Sequence, residues 1–118
     1  MELKIKMLDE HAILPTRGSE KAAGWDLYAN IPDPIVIAPG KMAKISSGIA
    51  IELPEGTFGG IFARSGLSTK KGLRPANCVG VVDSTYRGEV FVALHNDSDE
   101  IKYIHHKDRI AQMIIMEY

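Results

Sequence analysis

Residues 77–89 read Asn-Cys-Val-Gly-Val-Val-Asp-Ser-Thr-Tyr-Arg-Gly-Glu and are followed by a second apolar run over residues 90–94. An apolar run that ends on an acid, crosses polar residues and restarts as a strand is typical of a β-hairpin. Gly80 removes a side chain where another group can approach the backbone, and Gly88 allows the chain to return. The segment therefore predicts two strands joined by a tight polar bend.

Side chains with useful chemistry lie at this bend. Asp83 can accept a proton from water, Tyr86 offers a flat ring and a hydroxyl, and Arg87 can bind phosphate or pair with a carboxylate. An ordinary hairpin with a polar tip would contain the same residues, because short motifs often match by chance. The bend alone leaves both interpretations open.

The rest of the chain repeats short apolar segments between Pro and Gly turns, about every 8 to 12 residues. The predicted strands cover residues 2–7, 25–28, 35–37, 49–53, 58–63, 77–82, 90–94, 101–104 and 109–116. This spacing indicates a single all-β domain, residues 1–118, folded as a sandwich or barrel.

One short helix is predicted between Ser65, near its cap, and Gly72, beyond its end. A helix start exposes unpaired backbone N–H groups, which together with Arg64 and Ser65 would form an anion site. A capped turn that carries a surface arginine explains the same residues, so this segment alone does not decide between the two interpretations.

Composition narrows the classes of function. The 118 residues carry 14 basic and 15 acidic side chains, a net charge of −1. This balance argues against a protein that coats a nucleic-acid polymer or an anionic membrane surface. A small anionic ligand needs only a few well-placed donors, so it remains compatible with the charge.

Cysteine and histidine usage adds two expectations. The single Cys78 cannot form an intrachain disulfide, and its apolar neighbours predict a buried, inert thiol. The histidines show no metal-ligand spacing, so no protein-ligated metal is expected.

No signal peptide or long apolar run is found, which predicts a soluble protein of the cytoplasm or another reducing intracellular compartment.

Four segments, in order along the chain, resemble motifs of the dUTP pyrophosphatase (dUTPase) family. Residues 23–28 (Ala-Gly-Trp-Asp-Leu-Tyr) resemble motif one, residues 63–67 (Ala-Arg-Ser-Gly-Leu) motif two, residues 80–88 motif three and residues 108–113 (Asp-Arg-Ile-Ala-Gln-Met) motif four. The family's fifth motif, a glycine-rich C-terminal arm with an arginine and an aromatic residue, is absent from these 118 residues. Since that arm closes over the nucleotide in the family, turnover without it is expected to be reduced.

The resemblance implies a jelly-roll-like β fold, a homotrimer with shared active sites, and hydrolysis of dUTP to dUMP and pyrophosphate. Water would attack the α-phosphorus, with Asp83 as the general base and Gln112 orienting that water. Asp26 would help to hold hydrated Mg²⁺, which bridges the phosphate oxygens. The phosphates would be bound by Arg64, Ser65 and Gly66.

Uracil recognition is assigned, by the same resemblance, to backbone groups of the arm formed by residues 77–82. Its contributing residues are Asn77, at the mouth, with Gly80, Val81 and Val82. Tyr86 would lie against the deoxyribose and exclude a ribose 2′-hydroxyl, and Phe91 would form a wall of the pocket. Arg109 is expected to be a structural ion-pair partner that points away from Ile110 and Gln112.

Other functions are compatible with parts of this pattern. A dCTP deaminase has a similar fold, but the acid before Tyr86-Arg87-Gly88 matches the hydrolases. A dUTPase-like nucleotide-binding or partner-binding module with weak activity is a further alternative, as is a β-sandwich interaction domain. An assay of pyrophosphate release from dUTP in the presence of Mg²⁺ distinguishes the dUTPase from these three alternatives.

Overall fold

The computed structural model describes residues 3–118, so Glu2, which belongs to the first predicted strand, lies outside the described residues. The ten strands are β1 (Lys4–Met7), β2 (Trp25–Tyr28), β3 (Ile35–Ile37), β4 (Met42–Glu52), β5 (Thr57–Phe62), β6 (Leu73–Pro75), β7 (Gly80–Asp83), β8 (Glu89–Asn96), β9 (Lys102–Ile104) and β10 (Arg109–Glu117). The helix α1 (Ser65–Lys71) lies between β5 and β6. The prediction of an all-β protein with one short helix is confirmed.

Two antiparallel four-stranded sheets form the body of the fold. The first has the order β1-β4-β8-β6, the second the order β2-β10-β5-β7, and β3 pairs with β9 in a small separate sheet. Neither large sheet closes on itself, so the architecture is a jelly-roll-like sandwich rather than a barrel. None of the helices in residues 3–118 is long and apolar enough to span a membrane.

The core lies between the two large sheets and follows from the alternation of each strand. Val92 and Leu94 of β8 are buried with Leu27 of β2 and Met113 of β10. Each fully buried aliphatic side chain of this kind contributes about 1.5–3 kcal/mol by transfer from water. The positions between them, such as Phe91, face away from the core.

The predicted hairpin is not present, and this corrects the interpretation of residues 77–94. Strand β7 pairs with β5 in the second sheet, whereas β8 pairs with β4 and β6 in the first. The bend at residues 84–88 therefore crosses from one sheet to the other. Alternation could not reveal this, because both strands place apolar residues inward and a sandwich core accepts them from either sheet.

The face of the last strand was also predicted wrongly. A β-bulge between Arg109 and Ala111 shifts the pairing of β10 with β2, so Ile110 and Ala111 are both buried. The extra residue reverses the alternation that follows. Gln112 consequently lies on the outer face of the sheet, on the same side as Asp26, rather than on the core side with Ile110.

Two further differences concern the connection that precedes β7. The short strand β6 was not predicted because it contains Pro75, which the sheet tolerates here at its edge. Cys78 is exposed rather than buried, since it occupies a tight turn with φ of 66° and its N–H donates to the carbonyl of Pro75 at 3.0 Å. The helix agrees with expectation, and Gly72 ends it in the left-handed conformation with φ of 70°.

Candidate active site

A polar cluster lies on the outer face of the second sheet and joins residues from three distant segments. Asp26 of β2 and Gln112 of β10 are direct cross-strand partners. The Asp26 carboxylate accepts a hydrogen bond from Nε of Arg64 at 3.0 Å, and Nη1 of Arg109 lies 3.8 Å from its other oxygen. The side chain of Asp26 is 19% exposed. The structure therefore brings Asp26, Arg64 and Gln112 together.

Gln112 is oriented by its surroundings. Its Nε2 donates to the carbonyl of Ala63 at 3.0 Å, which leaves Oε1 as the acceptor end of the amide. A Cβ added at Gly24 would lie only 2.4 Å from that Oε1 and 3.2 Å from the Gln112 Cβ. Gly24, which sequence reasoning did not single out, thus provides the space for Gln112, and its position just before β2 was the available signal.

Replacing Gly24 by Ala is expected to lower turnover with little loss of stability. The new methyl group would displace the flexible end of Gln112, and a misplacement of about 1 Å can cost up to about 10²-fold in rate. Steady-state kinetics and thermal melting measure the two effects. Gly18→Ala is the matched control, because nothing lies within 4 Å of a Cβ at that position. Wild-type turnover in Gly24→Ala would show that this space is not needed.

The segment that connects β5 with α1 contributes Arg64, Ser65 and Gly66. Arg64 is the N-cap residue and makes no side-chain cap bond, so Ser65 begins the helix rather than capping it. Ser65 and Gly66 are exposed, and the space beside Gly66 is open to at least 4 Å. The backbone N–H groups of this first turn are therefore accessible to an anionic group.

Asp83 ends β7, and Tyr86 lies in the bend that follows. Asp83 is exposed, and its carbonyl accepts a hydrogen bond from the N–H of Tyr86 at 3.0 Å. The Tyr86 hydroxyl donates to the carbonyl of Glu89 at 2.7 Å, and the ring lies so close to Gly88 that a Cβ there would be 2.8 Å from its Cζ. Gly88 is thus required by the tyrosine ring. Arg87 stabilises the same bend, because its Nη2 lies 3.3 Å from Oε1 of Glu52.

The proposed uracil arm is an edge strand with the turn before it. Within residues 3–118, β7 pairs with a strand on one side only, so the other side leaves backbone N–H and C=O groups available. Val81 is 63% exposed, whereas Val82 is buried. A Cβ at Gly80 would lie 3.4 Å from Nδ2 of Asn77, so the Asn77 side chain packs closely against the start of this strand.

Phe91 does not join these residues within one chain. It faces outward from the first sheet, where the Lys44 ammonium lies 4.1 Å from the centre of its ring. The edge strand β7 belongs to the second sheet. Phe91 and the edge of β7 are therefore apart within one chain, and the role of Phe91 as a wall of the pocket stays a prediction.

The structure also keeps Asp83 apart from Gln112. Along β5, Asp83 pairs with Phe58 and Gln112 pairs with Phe62. Four residues along a strand span about 13 Å, and the two interstrand steps across β5 add about 10 Å in the perpendicular direction. The candidate residues of one chain therefore form two half-sites at opposite ends of a sheet face.

Apolar side chains occupy the face between the half-sites. The pairing partners on this face form an outer apolar stripe of Phe58, Phe62, Val81, Ile114 and Met116. Phe62 and Met116 cover Gly60, where an added Cβ would lie 2.8 and 3.0 Å from their nearest atoms. Both side chains therefore lie over Gly60, at the centre of the stripe.

The donor set near the polar cluster limits how a metal could be held. No group of three or more His, Cys, Asp or Glu side chains suited to a metal ion occurs in the described part of the chain. Asp26 is the one carboxylate in the cluster, and its oxygens face Arg64 and Arg109. This donor set is compatible with a magnesium ion whose ligands are mainly phosphate oxygens, with a single carboxylate nearby.

Comparisons with known proteins agree on one family. The family model described as dUTPase matches residues 10–118. The deoxyuridine 5'-triphosphate nucleotidohydrolase of Desulfitobacterium hafniense is 47% identical over 109 residues, which cover 92% of this chain and 72% of that protein. Its namesake from a Hydrogenobaculum species is 46% identical over 116 residues, which cover 98% of this chain and 80% of the relative.

A solved structure agrees with the fold. A variant of the dUTPase of Staphylococcus bacteriophage 80alpha, solved with dUpNHpp, superposes with a TM-score of 0.89. The two sequences are 26% identical, and the alignment covers 99% of this chain and 83% of the phage chain.

Proposed function

The chain belongs to the dUTPase family, and we propose that it hydrolyses dUTP to dUMP and pyrophosphate, which limits uracil in DNA. The observation that carries this proposal is the polar cluster of Asp26, Arg64 and Gln112. Three segments that are distant in sequence supply it, and its groups are those needed to bind phosphate and orient water.

Each residue of the polar cluster has a separate task in the proposed reaction. Arg64 uses Nε to bind Asp26, which fixes the guanidinium and leaves its terminal nitrogens directed to phosphate oxygens. Gln112 donates to Ala63, so its Oε1 can accept a hydrogen bond from the attacking water. Binding and orientation of this kind lower the barrier because the reacting atoms are already in place.

Asp83 is proposed as the general base. Its exposed carboxylate takes a proton from water as the water oxygen bonds to the α-phosphorus. The bond between that phosphorus and the bridging oxygen breaks, and pyrophosphate leaves with the electron pair. Asp26 would help to hold hydrated Mg²⁺ beside the phosphates, where the ion would supply charge neutralisation.

The edge of β7 is proposed to recognise uracil. Backbone N–H and C=O groups of Gly80, Val81 and Val82, with Asn77 beside them, can match the donors and acceptors of the base. The close packing of Asn77 against Gly80 supports a narrow pocket, which would reject the methyl group of thymine. Tyr86 is held by Glu89, so its ring can present a fixed surface to the sugar.

Tyr86→Ala is expected to raise kcat/KM for UTP relative to dUTP, because the ring would no longer fill the space that a 2′-hydroxyl needs. The ratio of the two kcat/KM values measures this discrimination. Tyr86→Phe is the control: it retains the ring and loses only the hydrogen bond to Glu89, so most discrimination should persist. If the alanine variant discriminates as well as the wild type, sugar selection lies elsewhere.

We further propose that the chain works as a homotrimer whose sites are completed between subunits. Two observations support this proposal. The half-sites of one chain are separated along β5, and the outer apolar stripe between them includes Val81, which is 63% exposed. A neighbouring subunit could cover the stripe and bring its own Asp83 towards Gln112.

The proposed activity is tested by incubating the protein with Mg²⁺ and dUTP, dCTP, UTP or dTTP in parallel. Preferential release of pyrophosphate and dUMP from dUTP is the expected result. Ammonia release from dCTP would instead indicate a deaminase. Binding of dUTP without turnover would favour a nucleotide-binding module, and absence of binding would favour an interaction domain.

A further inference from the structure

A groove of about 690 Å³ lies between α1 and the segment that contains β9 and the start of β10. Arg64 and Gly66 are among its lining residues, so it adjoins the proposed phosphate site. Its apolar lining includes Leu67 and Ile110. The rest of this groove has no part in the proposed reaction.

The charge of the groove is strongly one-sided, although the whole chain has a net charge of −1. Its basic lining residues are Arg64, Lys70, Lys71, Lys102, Lys107 and Arg109, whereas Asp108 is the one acidic residue that lines it. Both arginines face Asp26, and Lys102 lies 3.6 Å from Glu100. Within residues 3–118, no carboxylate lies at ion-pair distance from the other three lysines.

Lys107 lies in a turn whose backbone conformation is well defined. It has a φ of 76°, a left-handed conformation that glycine or asparagine adopts at lower cost. Its N–H donates to the carbonyl of Ala29 at 2.9 Å, so the backbone geometry is set by the turn. The turn therefore fixes the backbone of Lys107, and the exposed side chain of this residue lines the groove.

We propose that this groove binds inorganic pyrophosphate, the leaving group of the proposed hydrolysis, as it departs from the phosphate site. This inference rests on the proposed function for the identity of the anion. Pyrophosphate carries several negative charges on a short chain, and unpaired ammonium groups beside the site lower its free energy without reproducing the geometry of the reaction centre. Lys70 and Lys71, in the last turn of α1, also complement the helix dipole.

The test is calorimetric titration of the full chain with inorganic pyrophosphate in magnesium-free buffer. The groove variant combines Lys70→Gln, Lys71→Gln and Lys107→Gln. Because each exposed charge pair is worth little alone, their joint loss is expected to weaken binding by about tenfold. The control variant, Lys6→Gln with Lys21→Gln and Lys41→Gln, removes the same charge from exposed positions outside the groove and should bind as the wild type does.

Lys107→Gly is a second variant with a single substitution. It distinguishes an effect of the Lys107 side chain on binding from an effect on folding. Glycine suits the left-handed backbone at this position, so thermal stability should not fall while pyrophosphate binding weakens. Circular dichroism checks folding of every variant. Equal affinity of the wild type, the groove variant and the control variant for pyrophosphate would overturn the proposal, as would equal weakening in both triple variants.

Kinetics distinguish this inference from the proposed function. In the groove variant the inhibition constant of pyrophosphate should rise about tenfold, as in the titration, and kcat for dUTP should not fall. The calorimetric result holds even if the chain proved inactive on dUTP. Conversely, a groove variant that hydrolyses dUTP fully and keeps the inhibition constant of the wild type would agree with the proposed function. The same result would contradict pyrophosphate binding in the groove.

Discussion

Replacing Asp83 by Asn is expected to reduce kcat for dUTP by about 10² to 10⁴-fold, the usual cost of losing a general base. The amide preserves the shape of the side chain at the exposed end of β7 but cannot take a proton from water. Binding of the non-hydrolysable analogue dUpNHpp should be retained. Steady-state kinetics and calorimetry measure the two quantities separately.

Asp33→Asn is the matched control, because Asp33 is an exposed acid in a loop between two prolines. It removes the same charge and should leave kcat unchanged. Two results would count against the assignment of Asp83. Unchanged turnover in Asp83→Asn would exclude it as the base, and a loss of analogue binding as large as the loss of turnover would make it a binding residue.

Co-expression of Asp83→Asn chains with Gln112→Ala chains is expected to restore activity that neither variant has alone. If each site takes Asp83 from one subunit and Gln112 from another, about one third of the sites in mixed trimers, which is about one quarter of all sites after random assembly of equal amounts, should be intact. The expectation follows from the separation of the two residues along β5. Differently tagged chains, purified through both tags, provide the mixed assemblies for kinetic assay.

The control for this experiment pairs Asp83→Asn chains with chains that carry both substitutions. No combination of those subunits contains an intact site, so their mixed assemblies should remain inactive. Light scattering measures the number of subunits in each preparation. Lack of recovery in verified mixed assemblies would place both residues of a site in the same chain and refute the proposed sharing.

The sequence predicted most of the strands, because strand formation here depends on local signals, but it missed β6 and the part of β4 that precedes residue 49. Alternation such as that of β8, with Val90, Val92 and Leu94 inward, and breakers such as Pro54 and Gly56 act over a few residues. Cap geometry is equally local, which explains why the end of α1 at Gly72 was predicted. The motif residues were identified by resemblance, and their roles remain predictions.

The sheet to which a strand belongs, and the face on which its side chains lie, were harder to predict because both depend on partners that are distant in sequence. The alternation of β7 does not reveal that its partner is β5 rather than β8. The outward position of Gln112 depends on one bulge, whose only sequence trace is the adjacent apolar pair Ile110 and Ala111. The Asp26–Arg64 pair joins side chains 38 positions apart, which no local pattern can predict.

The unpaired side of β7 has a consequence for the solution behaviour of the protein. A free strand edge that can present N–H and C=O groups to a nucleobase can equally accept an extended peptide or another chain, the first step of aggregation. The strand limits this hazard because it has four residues and ends on the charged Asp83. A bound nucleotide should therefore also protect the protein against aggregation, in addition to its effect on folding stability.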